Sequence, residues 1–547
     1  MNKAAIAPAK DGFPSRRLLS DLLYASRPYQ ALLKSRVPKR LNLAPGDVFP
    51  GNAERADHIF QGHFDFAGVP HEQDDQNPWR IEGMPLAWYR ELHEFSWLRH
   101  FVANGSDAAK NHCRALILAW IEEFDGYHPY FWDEDVLARR VIAWLCHSRF
   151  VLEQEETERF NFPFLRSLRR QYIHLIRLAR GKAKAPDRIA TWQALLYGAL
   201  AFPDMTKGVA RYLGQLEAEL NRIVLADGCH INGNPERHLT LLGDLLGIRN
   251  TLMAANEMVP VAINNTIDRL APAIRFFQHG DGQLALFNGG QTLPEGYCDH
   301  ILSLSDATGR APQRFPQGGF ERLKAGRALL ILESGEGARH HGAHRHAGLL
   351  SFEFSYGRER LIVNCGSVRD PDSAWARALS ATAAHSTLGF DNINAVFPDD
   401  GAGTRVVRNE DDGNIWLDLE SHGYRDSVGI LHRRRIYLDA SGLALRGEDQ
   451  IIPERMPEPV RSHFSLRFHL HPDLSISKSA SGRNILIRTA SGTGWKFLTS
   501  APRLALEESV YCSVPGERRH NQQIVISGQL IDQEPILIKW ALSRLSD

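Results

Sequence analysis

The hydrophobic period changes once along this chain, from about 3.6 residues to 2, and that change limits the fold more than any other feature. Through about 60–277 apolar residues recur at helical spacing. The segments 112–124 (HCRALILAWIEEF), 136–150, 164–179, 191–202, 209–225 and 238–253 each read as a helix. Gly, Pro and Asp punctuate the joins, as in Phe124-Asp125-Gly126 and Lys184-Ala185-Pro186-Asp187. Many helices in series with short joins imply an all-α bundle, solenoid or toroid. From about 314 onward the alternation is that of strands. Residues 349–365 (LLSFEFSYGRERLIVNC) form two alternating runs around Tyr356-Gly357-Arg358, the pattern of a hairpin. Similar runs occupy 415–421, 433–439, 443–449, 463–471, 484–489, 494–498 and 523–531. Short strands at this density imply a β-sandwich or a related antiparallel double sheet. The expected division is an extended arm over 1–55, a helical domain over 56–306 and a strand domain over 307–547.

Composition narrows the function classes. The 547 residues carry 64 basic and 64 acidic side chains, a balance that argues against generic nucleic-acid binding. No run of 18 apolar residues suggests a membrane span, and 1–34 lacks the apolar stretch of a secretory signal. A cytoplasmic location is expected, with the periplasm as the alternative. Cys113, Cys146, Cys229, Cys298, Cys365 and Cys512 form no C-x-x-C pair, which speaks against a disulfide framework or a cysteine zinc site. Arginine far outnumbers lysine. Genome base composition explains that bias, and recognition of carboxylates by the guanidinium fork is the functional alternative.

Histidines carry the main chemical signal. Residues 339–346 read RHHGAHRH, and His344 and His346 at i, i+2 share one face of any strand. His385 follows in Thr382-Ala383-Ala384-His385-Ser386-Thr387. Two imidazoles on one strand with a third from a neighbouring segment suit a divalent metal of the zinc type; a polar, solvent-facing cluster is the alternative. A second polar segment, Asp227-Gly228-Cys229-His230-Ile231-Asn232-Gly233-Asn234-Pro235-Glu236-Arg237-His238, lies between two helical stretches. Asn232 or Asn234 ahead of Pro235 reads as a helix cap, and a loop on a rigid helical scaffold also suits substrate contact. Gly280-Asp281-Gly282 beside His279 is a turn signal first. His463, Arg467, His469 and His471 alternate with apolar residues as on a half-buried strand. Trp79, Trp88 and Trp97 suit core filling more than sugar stacking.

The stretch from His344-Arg345-His346-Ala347-Gly348-Leu349-Leu350-Ser351-Phe352 through Asn364-Cys365-Gly366 and Arg377 to His385-Ser386-Thr387 resembles the heparinase II/III-like polysaccharide lyases. The resemblance runs from about residue 62 to the C-terminus, and 92–98, 199–203 and 227–230 carry it more weakly. It implies an N-terminal α/α-toroid followed by a C-terminal antiparallel β-sandwich. It also implies β-elimination on a uronic-acid-containing glycan or oligosaccharide, with His344 in the catalytic cleft. His346, Asn364 and His385 would hold one structural divalent metal, most naturally zinc, and no organic cofactor is implied. His230 is offered as a second catalytic group, with Asn234, Arg237, His238 and Arg377 as substrate contacts. Three departures bear on the chemistry: Asn364 replaces an aspartate of the pattern, Gly348 an acidic residue, and Arg237 the tyrosine used for acid/base work. A non-catalytic glycan-binding protein on the same fold is therefore one alternative. A glycoside hydrolase is another, for which Asp133, Glu134, Asp135, Asp227 and Glu236 are the available carboxylates.

Overall fold

Both periodicities become secondary structure in the computed structural model, which describes residues 18–73, 77–152, 159–181, 187–335, 345–397, 404–454, 462–480, 482–530 and 534–545. Contacts divide the chain into two compact units. One comprises Met1–Ile223 and Leu241–Ile267, the other Val224–Thr240 and Asp268–Asp547. The change of period near 307 is thus not where contacts divide, because the loop at 224–240 and the segment 268–306 pack with the strands.

In the first unit the helices Asp107–Phe124, Glu134–Cys146, Asn161–Leu178, Ile189–Ala201 and Val209–Ile223 fall where the apolar spacing places them. The Ser106 hydroxyl accepts the Ala109 N–H and starts the 18-residue helix Asp107–Phe124. Every residue of Ile189–Ala201 is buried, as an all-round apolar helix requires. Gly198 lets it lie close on Asn161–Leu178, because a Cβ there would sit 2.1 Å from the Tyr172 ring. Trp79, Trp88 and Trp97 are buried core residues and offer no sugar platform. The arm expected to be extended instead carries helices Leu18–Ala25 and Arg27–Leu32. Ser26 caps the second, and buried Tyr29 hydrogen bonds to His174 Nδ1 at 2.6 Å. Among the described residues no helix is long and apolar enough to cross a membrane.

In the second unit two antiparallel sheets pack face to face. The nine-stranded sheet runs in the order Leu504–Tyr511, Arg519–Leu530, Ser462–Leu470, Glu359–Val363, Phe352–Tyr356, Ala328–Glu333, Phe320–Ala325, Arg314–Phe315, with Leu388–Phe390 paired to Ser462–Leu470. The eight-stranded sheet runs in the order Ser475–Lys478, Asn484–Arg488, Gly494–Thr499, Ile536–Arg544, Ala444–Pro453, Ile430–Leu438, Asn414–Tyr424, Thr404–Asp411. Leu330, Phe352, Phe354, Phe468, Leu417, Ile436, Phe497 and Trp540 fill the space between them. The expected hairpin forms with Tyr356 opposite Glu359, and Gly357 turns it at φ +63°.

One buried ion pair ties the eight-stranded sheet to the loops of the other. Arg434 Nε donates to Asp449 Oδ1 at 2.7 Å, and His432 and Trp540 complete the carboxylate's partners. Arg434 also donates to the carbonyls of Leu350 (2.6 Å) and Ser386 (3.2 Å). Burial alone would raise the Asp449 pKa. The guanidinium and the imidazole instead hold it well below the usual carboxylate range.

Candidate functional site

The loop at 224–240 is fixed by its own polar residues. Asp227 accepts the backbone N–H groups of Cys229, Gln317 and Gly318, which holds the turn. Asn234 caps the helix Pro235–Ala254: its Oδ1 accepts the Arg237 N–H at 3.1 Å, and Pro235 follows as the first helical residue. Capping is therefore what the sequence pattern encoded here. His238 is fully buried. Its Nδ1 donates to the Asn234 carbonyl (2.7 Å) and its Nε2 accepts the His230 N–H (2.7 Å). It fastens the loop from within. His230 is also buried, with Nδ1 2.7 Å from Asn232 Oδ1. The pair holds the loop's conformation from inside. Arg237 is half-buried in the first turn of the helix. Arg377 is exposed on the helix Ala374–Ser380, where its guanidinium donates to the Asp372 carbonyl.

The same unit places a second wall beside Asn234. Asn288, in the left-handed region at φ +49°, accepts the His346 N–H through Oδ1 (3.2 Å). Its Nδ2 donates to Glu333 Oε1 (3.0 Å) and the Gly233 carbonyl (3.3 Å). Next to it Gly289 adopts φ +86°. A Cβ there would lie 3.6 Å from Asn234 Nδ2, 3.8 Å from His346 Nε2 and 3.8 Å from Ser367 Oγ. Three polar side chains from three segments thus converge over a residue with no side chain. Glu236 and Arg369 form an ion pair of 2.6 Å, and Glu236 Oε2 accepts the Gln291 N–H. Asn288, Gly289, Gln291, Ser367, Arg369 and Glu333 were not expected from sequence. Only Ser367 had a signal, as the residue immediately after Asn364-Cys365-Gly366.

His346 and His385 are brought together, and Asn364 bonds to Ser386, the residue after His385. His346 Nδ1 lies 3.3 Å from His385 Nε2. Two zinc-bound imidazole nitrogens at about 2.0–2.1 Å from the metal would be separated by about 3.3–3.4 Å at the tetrahedral angle, so the pair suits a metal. The third residue does not. Asn364 Oδ1 accepts the Ser386 N–H (3.1 Å) and Nδ2 donates to the Leu286 carbonyl (3.4 Å), so the carboxamide is neutral and engaged by backbone. Among the described residues no three His, Cys, Asp or Glu gather as a metal site. Among the described residues the donors beside this histidine pair fall short of a zinc set. Gly348 has a steric reason: a Cβ there would sit 2.7 Å from His385 Cδ2. Burial lowers the His385 pKa, so the ring is neutral at neutral pH. Its Nδ1–H donates to the Ala381 carbonyl (2.8 Å), which makes Nε2 the acceptor for His346 Nδ1–H. His344 lies outside the described residues.

Other candidates are structural. His279 is buried between Ser355 Oγ (2.8 Å) and Glu353 Oε2 (3.2 Å), and Asp281 pairs with Arg360 (2.8 Å) beneath the turn. On the strand Ser462–Leu470, His463 is exposed, Arg467 half-buried and His469 buried. Glu134 is held by Arg188 through both oxygens (2.7 and 2.9 Å). Asp133 and Asp135 pair with Arg90 (3.8 and 3.2 Å), and Asp227 and Glu236 are engaged as described.

Comparison with known proteins fits this architecture. Residues 307–541 match the family model for the heparinase II/III-like C-terminal domain. A crystal structure of heparinase III superposes with a TM-score of 0.73 at 13% identity, covering 98% of this chain and 92% of that one. Heparan sulfate lyase HepC from Pedobacter heparinus superposes with a TM-score of 0.59 at 15% identity, covering 94% and 84%. At these identities the likeness is one of fold: a helical toroid followed by an antiparallel sandwich. A full-length relative, FtsZ-localized protein C of Caulobacter vibrioides (strain NA1000 / CB15N), is 29% identical over 95% of this chain and 93% of its own length.

Proposed function

We infer, taking residues 307–541 as a heparinase II/III-like C-terminal domain, that this protein binds an acidic glycan or oligosaccharide over Gly289 and cleaves it by β-elimination beside a uronate. The observation that carries this reading is the convergence of Asn234 Nδ2, His346 Nε2 and Ser367 Oγ on one space. The chemistry needs a base for the proton at C5, a cation for the uronate carboxylate and a proton for the leaving oxygen. His385 fixes the tautomer of His346 so that Nε2 is its acceptor nitrogen, the form that takes a proton. In the step His346 Nε2 takes the C5 proton and that C–H electron pair forms the C4–C5 double bond. The C4–O bond breaks, its electrons leave with the oxygen, and the histidine or water returns a proton to it. Arg369 meets the carboxylate with its guanidinium fork, and Asn234 and Ser367 orient the ring. No step is routed through a metal. His344 remains a proposed cleft residue on the family pattern alone.

A second reading is a glycan-binding protein that keeps the fold without the chemistry. Arg237 at the pattern's tyrosine position favours it, because no phenol is offered there. So does the relative named FtsZ-localized protein C, whose localisation this chain would share. One assay separates the readings: incubation with uronate polymers and oligomers, followed by ultraviolet absorbance and reducing ends. Absorbance from an unsaturated uronate, lost in His346→Ala, is the expected result. New reducing ends without that absorbance refute the lyase in favour of a hydrolase, and binding without cleavage refutes it in favour of the second reading.

A further inference from the structure

We propose that the outer face of the eight-stranded sheet is a second carbohydrate site, one that takes neutral pyranose rings and is separate from the space over Gly289. A groove of about 810 Å³ crosses that face. Strand register defines its floor. Asn409 lies opposite Trp416, Trp416 opposite Tyr437, Tyr437 opposite Arg446, Arg446 opposite Ala541 and Ala541 opposite Leu498. This one row crosses six strands. From Trp416 to Leu498 it spans four inter-strand steps of about 4.8 Å, or about 19 Å in all. Solvent-facing rows of a sheet are ordinarily polar. Here Trp416 is 37% exposed, its ring 5.1 Å from that of Tyr437, and Arg446 lies over Tyr437 at 5.6 Å. Ala541 is short, which lowers the floor beyond the two rings.

The neighbouring row says what the groove can hold. Asp418, Arg435, Glu448 and Lys539 stand opposite one another in turn on four adjacent strands. Asp418 and Arg435 are 3.3 Å apart, Arg435 and Glu448 3.1 Å, and Lys539 and Glu448 3.7 Å. The charges alternate and cancel, so the row offers no field to a phosphate, a nucleic acid or a polyanion. It does offer planar acceptors and forked donors in sequence; Asp418 is also held by Arg433 (2.8 Å), while the partly exposed Arg435–Glu448 and Lys539–Glu448 pairs hold each other weakly enough to exchange partners. A polyhydroxylated ring has the complementary chemistry: an apolar C–H face for Trp416 and Tyr437, and hydroxyls that both donate and accept for the ladder. A second copy of the chain is disfavoured as occupant, because docking it here would desolvate four charged side chains without replacing their water.

The test is binding of soluble β-1,4-linked neutral oligosaccharides, cello- and chito-oligomers, to the full chain by calorimetry and tryptophan fluorescence. Trp416→Ala and Tyr437→Ala should each weaken binding about tenfold or more, while Trp416→Phe retains most of it. These residues lie outside the proposed reacting site, so cleavage of short uronate oligomers should be unchanged in all three variants. Circular dichroism checks that they fold. Absence of oligosaccharide binding by the natural chain, or equal binding by Trp416→Ala, overturns the proposal. So does a natural chain that sediments as a dimer and a Trp416→Ala variant that sediments as a monomer, since the face would then be a contact between copies. Failure of the lyase reading alone leaves these binding outcomes untouched.

Discussion

Replacing Asn364 by aspartate tests whether the histidine pair lacks only a charged third ligand. Asn364 is 1% exposed, and its two amide atoms bond to Ser386 N–H and the Leu286 carbonyl. In Asn364→Asp the bond to Ser386 survives. The donor to Leu286 is lost, which leaves a buried carbonyl short of a partner at about 1–3 kcal/mol. The new carboxyl also sits near buried Glu353, whose Oε1 accepts the Asn364 N–H at 3.1 Å. Like charge raises the new group's pKa, at about 1.4 kcal/mol per unit. With chelator present the variant should therefore be about 2–4 kcal/mol less stable than the natural chain. With zinc, His346, Asp and His385 make a three-ligand set with the nitrogens already at metal spacing. Zinc at about 100 times its dissociation constant then returns about 2.7 kcal/mol. The assay is denaturant unfolding of both chains with chelator and with zinc, together with bound metal measured by mass spectrometry. Equal zinc content in the two chains, or no zinc-dependent recovery in Asn364→Asp, refutes the account of Asn364 as the missing ligand.

Other outcomes follow from the same geometry. Gly348→Ala places a methyl 2.7 Å from His385 Cδ2 and should cost about 1–3 kcal/mol while shifting the His385 ring resonances in NMR; an unperturbed ring would contradict the packing. Ser367→Ala should lower turnover on a confirmed uronate substrate about tenfold with stability within about 1 kcal/mol, because among the described residues the buried Ser367 Oγ makes one long 3.4 Å bond, to the Val368 carbonyl. His469 is buried between Ser509 and the Ala383 carbonyl, and burial pushes its pKa down to about 3. Its contribution to stability is complete above about pH 6.5 and declines by about 1.4 kcal/mol per unit as pH falls from there toward its folded value. His469→Gln should flatten the stability profile measured by urea unfolding between about pH 4 and 6, and an unchanged slope would count against the assignment.

The helices and the hairpin were legible because each rests on local pattern. The spacing in 112–124, Pro235 behind Asn234 and Gly357 in its turn all act within a few residues. The site over Gly289 was less so. Asn234 and His346 stood out as polar residues in distinctive segments, but Asn288 and Gly289 matter through backbone conformation and through partners 54–58 residues away in sequence. Glu333 and Glu353 sit on strands buried on both faces, where alternation gives no sign that one side carries ions. Trp79, Trp88 and Trp97 fill the core, as their place among helical segments suggested. The exposed one, Trp416, is distinguished only by the row that strand pairing builds around it. The departures at Gly348 and Asn364 were visible as departures, but their cause, contact with His385 and clamping by backbone, is tertiary.

Arg434 imposes an order of assembly. A guanidinium is too costly to bury before its counter-ion arrives, and Asp449 is on the adjacent strand. That hairpin must therefore form before Arg434 can enter the interior and present its remaining N–H groups. Those groups then catch the carbonyls of Leu350 and Ser386, four residues after His346 and one after His385. The loops that carry the histidine pair are accordingly held by the second sheet as well as by the first. A chain ending before residue 449 would hold both histidines and lack the counter-ion that lets Arg434 clasp the loops beside them.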